Sequence, residues 1–202
     1  MDSTAPRTGG RPYHHGDLRR ALIDAALDTI AEDGPAAVNL RAIARRVGVS
    51  HAAPAHHFHD KADLFTAIAA EGFALLASRL QTAYEQTGDF LEVGVAYVRF
   101  ALDRRAHFEV MFRPDLYHAD DPDLQQAQRA AEAALYGPLS PSPGSTPGPE
   151  VIAAGVAAWS LAHGLATLWL NGNLPPALGD DPERVMRLAA SHLFQTGFSS
   201  PG

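Results

Sequence analysis

The sequence predicts an all-α protein: a three-helix head joined by a long helix to a larger helical domain. Two observations carry this. Apolar residues recur at helical spacing in segment after segment. Helix starts and stops punctuate them, among them Asp121-Pro122-Asp123, Asp181-Pro182-Glu183, Gly34-Pro35, Gly48 and Asn171-Gly172. A third observation divides the chain. Of the 202 residues 16 are Lys or Arg and 23 Asp or Glu, a formal charge of -7. Residues 1–62 hold eight basic and seven acidic residues, net +1, and six of the ten histidines; residues 63–202 hold eight and sixteen, net -8. Protonation of histidines near neutral pH makes the first part more positive, and binding a polyanion needs a local patch rather than a basic protein. The length suffices for a sizeable core, as one large domain or a small one joined to a larger. The absence of cysteine excludes a disulfide framework, thiolate metal sites and cysteine nucleophiles, and is compatible with a reducing cytoplasm.

The domain boundaries expected are an arm over 1–12, a head over 13–62 and a second domain over 63–202. Met1 to Pro12, rich in Gly, Pro, Thr and Arg and without the apolar run of a signal peptide, reads as a mobile arm. Arg7 and Arg11 would place a cation within reach of a minor groove or else belong to a solvated tail. A first helix over about 17–32 has Leu18, Leu22, Ile23, Ala26, Leu27 and Ile30 as its buried stripe and ends at Gly34-Pro35. Asn39 caps a second helix with Leu40, Ile43, Ala44 and Val47 on one face and Arg41, Arg45 and Arg46 on others. Gly48 closes it in the left-handed conformation and Val49 tucks beneath the turn. Ser50 caps a third helix over roughly 51–58, which carries the small residues Ala52, Ala53 and Ala55 with His51, His56 and His57. Small side chains let a backbone approach base edges while Ser, His and Arg bond bases and phosphates, so this segment suits the major groove. Pro54 disfavours helical geometry at Ala53 and predicts a late or distorted start.

The run from Leu18 to Phe65, with Asn39-Leu-Arg-Ala-Ile-Ala, Val47-Gly-Val-Ser, His57-Phe and Lys61-Ala-Asp-Leu-Phe, resembles the DNA-binding domain of the tetracycline-repressor (TetR) family. The resemblance implies a helix-turn-helix reading double-stranded operator DNA, a phosphate contact from Lys61, candidate backbone contacts from His14 and His15, and a homodimer. It departs from the family pattern at Pro54-Ala55, where many members have Leu-Tyr, so that tyrosine's phosphate contact does not carry over. The DNA-contacting set is therefore Arg11, Arg41, Ser50, His51, Ala52, Ala53, His56, His57 and Lys61.

A fourth helix over 61–87, expected to start at an Asp60 cap with Asp63 in its first turn, is long enough to link two bodies. Asp89 starts a helix from Phe90 to about Arg105 with Val93, Tyr97, Phe100 and Ala101 inward. A short apolar segment comes next over 107–112, and Asp121-Pro122 opens a helix ending at Tyr136-Gly137-Pro138. Residues 140–149 read as a flexible loop. Val151 to Leu170 has the length of a membrane span but contains His163, is dense in Gly and Ala and lacks flanking Lys or Arg; no membrane association is expected, and the segment is taken as buried between protein surfaces. The last helix shows a broad apolar face at Val185, Met186, Leu188, Ala189, Leu193 and Phe194. Two such helices meeting their copies would form the four-helix interface of the homodimer.

Trp159-Ser-Leu-Ala-His163-Gly164 resembles the Trp-His-Gly signature of one group of C-terminal regulatory domains in the same family. Trp159 and His163 share a helical face and could line a ligand cavity with Tyr97, Phe100, Phe108, Met111 and Phe112, or serve packing alone. A ligand-responsive DNA-binding regulator, usually a repressor, released by a small, largely apolar effector is the leading reading. An effector-independent DNA-binding protein is the second. A metal-dependent enzyme using His56, His57, His59, Asp60 and Asp63 is the third, and their spacing matches no ligand pattern. Neither a catalytic residue nor a resident metal or cofactor is expected, and nothing elsewhere in the chain suggests catalysis.

Overall fold

The computed structural model describes residues 15–140 and 148–195, with side chains from 18–140 and 148–193. Arg7, Arg11, His14, the His15 side chain and most of the 140–149 loop lie outside these. Among the described residues the secondary structure is helical throughout, with no strand. The chain divides into two compact units, residues 1–61 and 62–202.

In the first unit, helix α1 (His15–Asp33) buries Leu22, Ile23, Ala26 and Ile30, with Leu18 and Leu27 half-buried beside them. A 3-10 turn, Pro35–Ala37, leads to α2 (Leu40–Val47), whose Ile43 and Ala44 face the core with Val38 and Phe58. The Asn39 side chain accepts hydrogen bonds from the backbone N–H groups of Arg41 (2.9 Å) and Ala42 (3.4 Å), satisfying donors that a helix leaves orphaned at its start. At the other end Gly48, at φ 78°, bonds back to the Arg45 carbonyl while the Val49 N–H reaches Ala44, the paired closure that a left-handed glycine permits.

The expected third α-helix over 51–58 is instead a single 3-10 turn, Ala53–His56. Pro54 explains the correction: it has no N–H to offer an α-helical ladder, and it is buried in the unit's core. The bonds of the segment are Ala53 to Ser50, Ala55 to Ala52 and His57 to Pro54, each three residues back, and a single four-residue bond from Phe58 to Pro54 that closes it. Phe58, 2% exposed, anchors the end of the segment, and the Arg19 guanidinium lies 5.4 Å from its ring centroid.

In the second unit α3 (Lys61–Thr87), whose first residue belongs to the first unit, contributes Leu64, Phe65, Ile68, Ala69, Phe73, Leu76 and Leu80 to the core. Helix α4 (Phe90–Asp103) starts at Asp89, whose side chain accepts from the Leu91 N–H, and buries Val93, Tyr97, Phe100 and Ala101 as expected. It stops sooner than expected, because Arg104 leaves helical geometry at φ -123°, ψ 41°. Helix α5 (Arg105–Met111) begins at once. Helix α6 (Pro122–Tyr136) begins at the Asp121 cap, which accepts from Leu124. Helices α7 (Pro149–Leu170) and α8 (Pro182–Gln195) both pack on α4 and on each other. Asp181 caps α8 by accepting from Glu183 and Arg184, and Arg187 of α8 makes two hydrogen bonds to Glu92 of α4 at 2.9 and 2.8 Å.

Helix α7 has the length and composition to cross a membrane, with a mean hydropathy of 1.6. In the fold it is buried along one side only, at Gly155, Ala162, Leu165 and Ala166. Gly155 has a steric role, since an added Cβ would stand 2.2 Å from Cδ1 of Tyr136, fixing how closely α6 and α7 approach. The other side exposes Ile152, Val156 and Leu168, and α8 likewise exposes Leu188 and Leu193.

Candidate functional site

The first unit gathers the sequence-selected DNA residues on α2 and the turn after it. Ser50, His51, Ala52 and His56 are exposed, Ala53 and His57 half-buried. Arg41 is exposed on α2 and so is Arg45, which the sequence reading left out of the set although it lies four residues on, along the same helical face. Arg46 differs. Its guanidinium meets both carboxylate oxygens of Glu32 at 2.7 Å and lies 3.6 Å from Asp28; this pairing holds the Glu32 carboxyl below the usual range and commits the arginine internally. Lys61 is half-buried with Nζ 3.4 Å from the Ala36 carbonyl. Arg11 lies outside the described residues.

The second unit is hollowed by a cavity of about 570 Å³. Tyr97 from α4, Met111 and Phe112 from α5 and its end, and Trp159 and His163 from α7 line it, five of the seven expected residues. Phe108 stands behind the wall, 7% exposed, its ring 5.1 Å from His163 and 5.4 Å from Phe112. Phe100 is 1% exposed and is a core residue. It comes three positions after Tyr97, which carries it about 4.5 Å further along the helix and away from the lining. The sequence reading missed the contribution of α3 (Phe73, Leu76, Leu80), of Tyr117, and of Gln128, Glu132, Leu135 and Tyr136 on α6. The signal for α6 was present: positions 128, 132, 135 and 136 form one stripe at helical spacing.

The polar atoms of this wall form a relay. Trp159 Nε1–H donates to the Tyr97 hydroxyl at 3.1 Å, and that hydroxyl lies 2.9 Å from His163 Nδ1. Burial pushes the Tyr97 phenol above its ordinary value and holds the His163 imidazole below its own, so both are neutral near pH 7. Rings enclose them, with Phe112 edge-on to His163 at 4.7 Å and to Phe73 at 5.6 Å. A second, smaller hollow of about 380 Å³ shares Tyr97 and Leu135 with the first and is otherwise lined mainly by apolar side chains of α4, α7 and α8. Asp63 and His118, both of the second unit, lie 3.3 Å apart on the outside.

The first unit, with α2 and the turn after it, matches the helix-turn-helix class of DNA-binding transcriptional regulators, and the second carries a cavity lined by aromatic side chains. Residues 22–68 match the model of bacterial regulatory proteins of the tetR family, and residues 90–193 match that of the tetracyclin repressor-like C-terminal domain. The chain belongs to the TetR family of transcriptional regulators. The HTH-type transcriptional regulator BetI 1 of Chromohalobacter salexigens is 30% identical over 198 residues, 93% of this chain and 92% of the relative. A protein of unknown function from Rhodococcus sp. RHA1 has a similar structure, with a TM-score of 0.76 and 32% identity over 95% of this chain and 100% of that one. A candidate regulator from Saccharomonospora viridis, solved in complex with choline, shares the fold, with a TM-score of 0.65 and 19% identity over 90% of this chain and 97% of that one.

Proposed function

We propose that the protein is a homodimeric repressor that binds a palindromic operator and is released by a small, largely apolar effector held in the 570 Å³ cavity. The observation that carries this is the cavity itself: its volume lies within the range of small-molecule sites, and its wall combines aromatic surface with a few polar atoms. The choline complex of the Saccharomonospora relative supports a small-molecule site in this fold. The homodimer rests on the exposed apolar residues of α7 and α8, Ile152, Val156, Leu168, Leu188 and Leu193, which a second copy would cover. DNA contact falls to Arg41, Ser50, His51, Ala52, Ala53, His56, His57, Lys61 and Arg11, with Arg45 added. A dimer would present its two reading segments to half-sites about 34–36 Å apart or at a related spacing. An effector bound more tightly by the DNA-free conformation shifts the population toward it, and differential affinity is the whole of the coupling.

The test is a footprint on the DNA flanking the gene, with purified protein at several salt concentrations. Two protected half-sites of an inverted repeat, lost on adding a compound that raises the protein's melting temperature, are expected. Protection indifferent to sequence and salt contradicts the proposal.

A further inference from the structure

The hydrogen-bond relay in the cavity wall restricts the chemistry of an effector held there. The Trp159 indole can only donate, so the Tyr97 oxygen accepts from it. If His163 Nδ1 donated to the same oxygen, the phenol proton of Tyr97, a residue 2% exposed, would be left without an acceptor, at a cost of about 1–3 kcal/mol. Using each group once has Tyr97 O–H donating to Nδ1, which places the ring proton of the neutral imidazole on Nε2. Among the described residues Nε2 of His163 has no hydrogen-bond partner, while every buried side-chain nitrogen or oxygen there has one; Nε2 is therefore open to accessible space, and His163 lines the cavity. Among the described residues no Lys or Arg lines that cavity, and the one carboxylate lining it is Glu132.

Resting on the proposal that the cavity is the effector site, we infer that His163 Nε2–H is its specificity-determining donor, and that the effector is a neutral, largely apolar molecule presenting a carbonyl-type acceptor to it. Trp159 and Tyr97 are positioning residues that fix the tautomer. A free carboxylate is disfavoured, because Glu132 repels it and no cation in the wall compensates.

The full-length protein labelled with ¹⁵N-histidine tests the tautomer in a long-range proton–nitrogen spectrum at pH 7, the signal being assigned by its loss in His163→Gln. Nδ1 without a proton and Nε2 with one are expected. A proton on Nδ1, or on both nitrogens, overturns the inference and leaves the effector reading standing. Calorimetry with benzophenone and diphenylmethane, which differ by one carbonyl, tests the donor. The wild type is expected to prefer benzophenone about tenfold, the effect of one net hydrogen bond; His163→Leu abolishes the preference and His163→Gln, whose amide still donates, restores part of it. Tyr97→Phe releases Nδ1, so a mixture of tautomers and a weakened preference are expected. Equal affinity of the wild type for the two probes overturns the inference alone. Binding of neither probe overturns the cavity's reading as an effector site and the inference with it.

Discussion

The two units handle polar groups in opposite ways. In the first, the side chains proposed to meet DNA stand exposed on α2 and the turn after it, and Arg46, itself exposed, has its charge matched by Glu32. In the second, the informative polar groups are the ones with partners, Trp159, Tyr97 and His163, because in a relay through the buried Tyr97 a bond to one atom dictates what a neighbouring atom can offer. On the proposed reading, the exposed residues would meet a polyanion through charge, and the cavity residues a small molecule through hydrogen-bond direction.

The largest expected effect breaks the comparison at its base. The double variant Val156→Arg with Leu188→Glu places charges on the exposed faces of α7 and α8; sedimentation should show a monomer, and operator affinity should fall by about two orders of magnitude or more as the two half-sites cease to be read together. Persistence of the dimer contradicts the proposed interface. Next comes Gly155→Ala. The added carbon would lie 2.2 Å from the Tyr136 ring, so a loss of about 2 kcal/mol in urea unfolding is expected. Gly164→Ala, whose new carbon meets nothing within 4 Å, should cost nothing by crowding.

A smaller effect separates the arginines of the head. Arg41→Ala and Arg45→Ala should each weaken DNA binding, by about 1 kcal/mol, and lower the salt slope by about one. Arg46→Ala should leave the slope unchanged, because its charge is matched by Glu32. Removing the Asn39 side chain (Asn39→Ala) should cost about 1 kcal/mol through its cap bonds to Arg41 and Ala42.

The smallest effect is set by pH. Arg187 holds Glu92 below the usual carboxylate range in the folded state. Stability from this pair is complete above the unfolded value, about 4.3, and lost as pH falls through the lower folded value. Glu92→Gln should therefore flatten the acid limb of a stability profile below about pH 4.3 and leave its shape above that unchanged.

The sequence made the helices legible because caps and stops are local: Asn39, Gly48, Asp89, Asp121 and Asp181 each act on the turn they begin or end. Pro54 was legible as a disturbance, but not its outcome, since burial of the ring depends on packing outside the segment. The cavity was half legible. Trp159 and His163 share a helical face by spacing, as do the α6 residues 128, 132 and 136, but that these faces meet around one space depends on how α4, α5, α6 and α7 pack. Phe100 and Phe108 show the limit of selecting aromatic residues by type and helical face, because rings that share a face with lining residues are packed as core.

The central claim is that the head reads DNA through exposed cations. Fluorescence anisotropy of a labelled operator fragment between about 50 and 200 mM salt, for the wild type and for Arg41→Ala with Arg45→Ala, tests this directly. A linear logarithmic salt dependence in the wild type, with a slope lower by about two in the double variant, is the expected result. Binding independent of salt, or identical slopes for the two proteins, contradicts it.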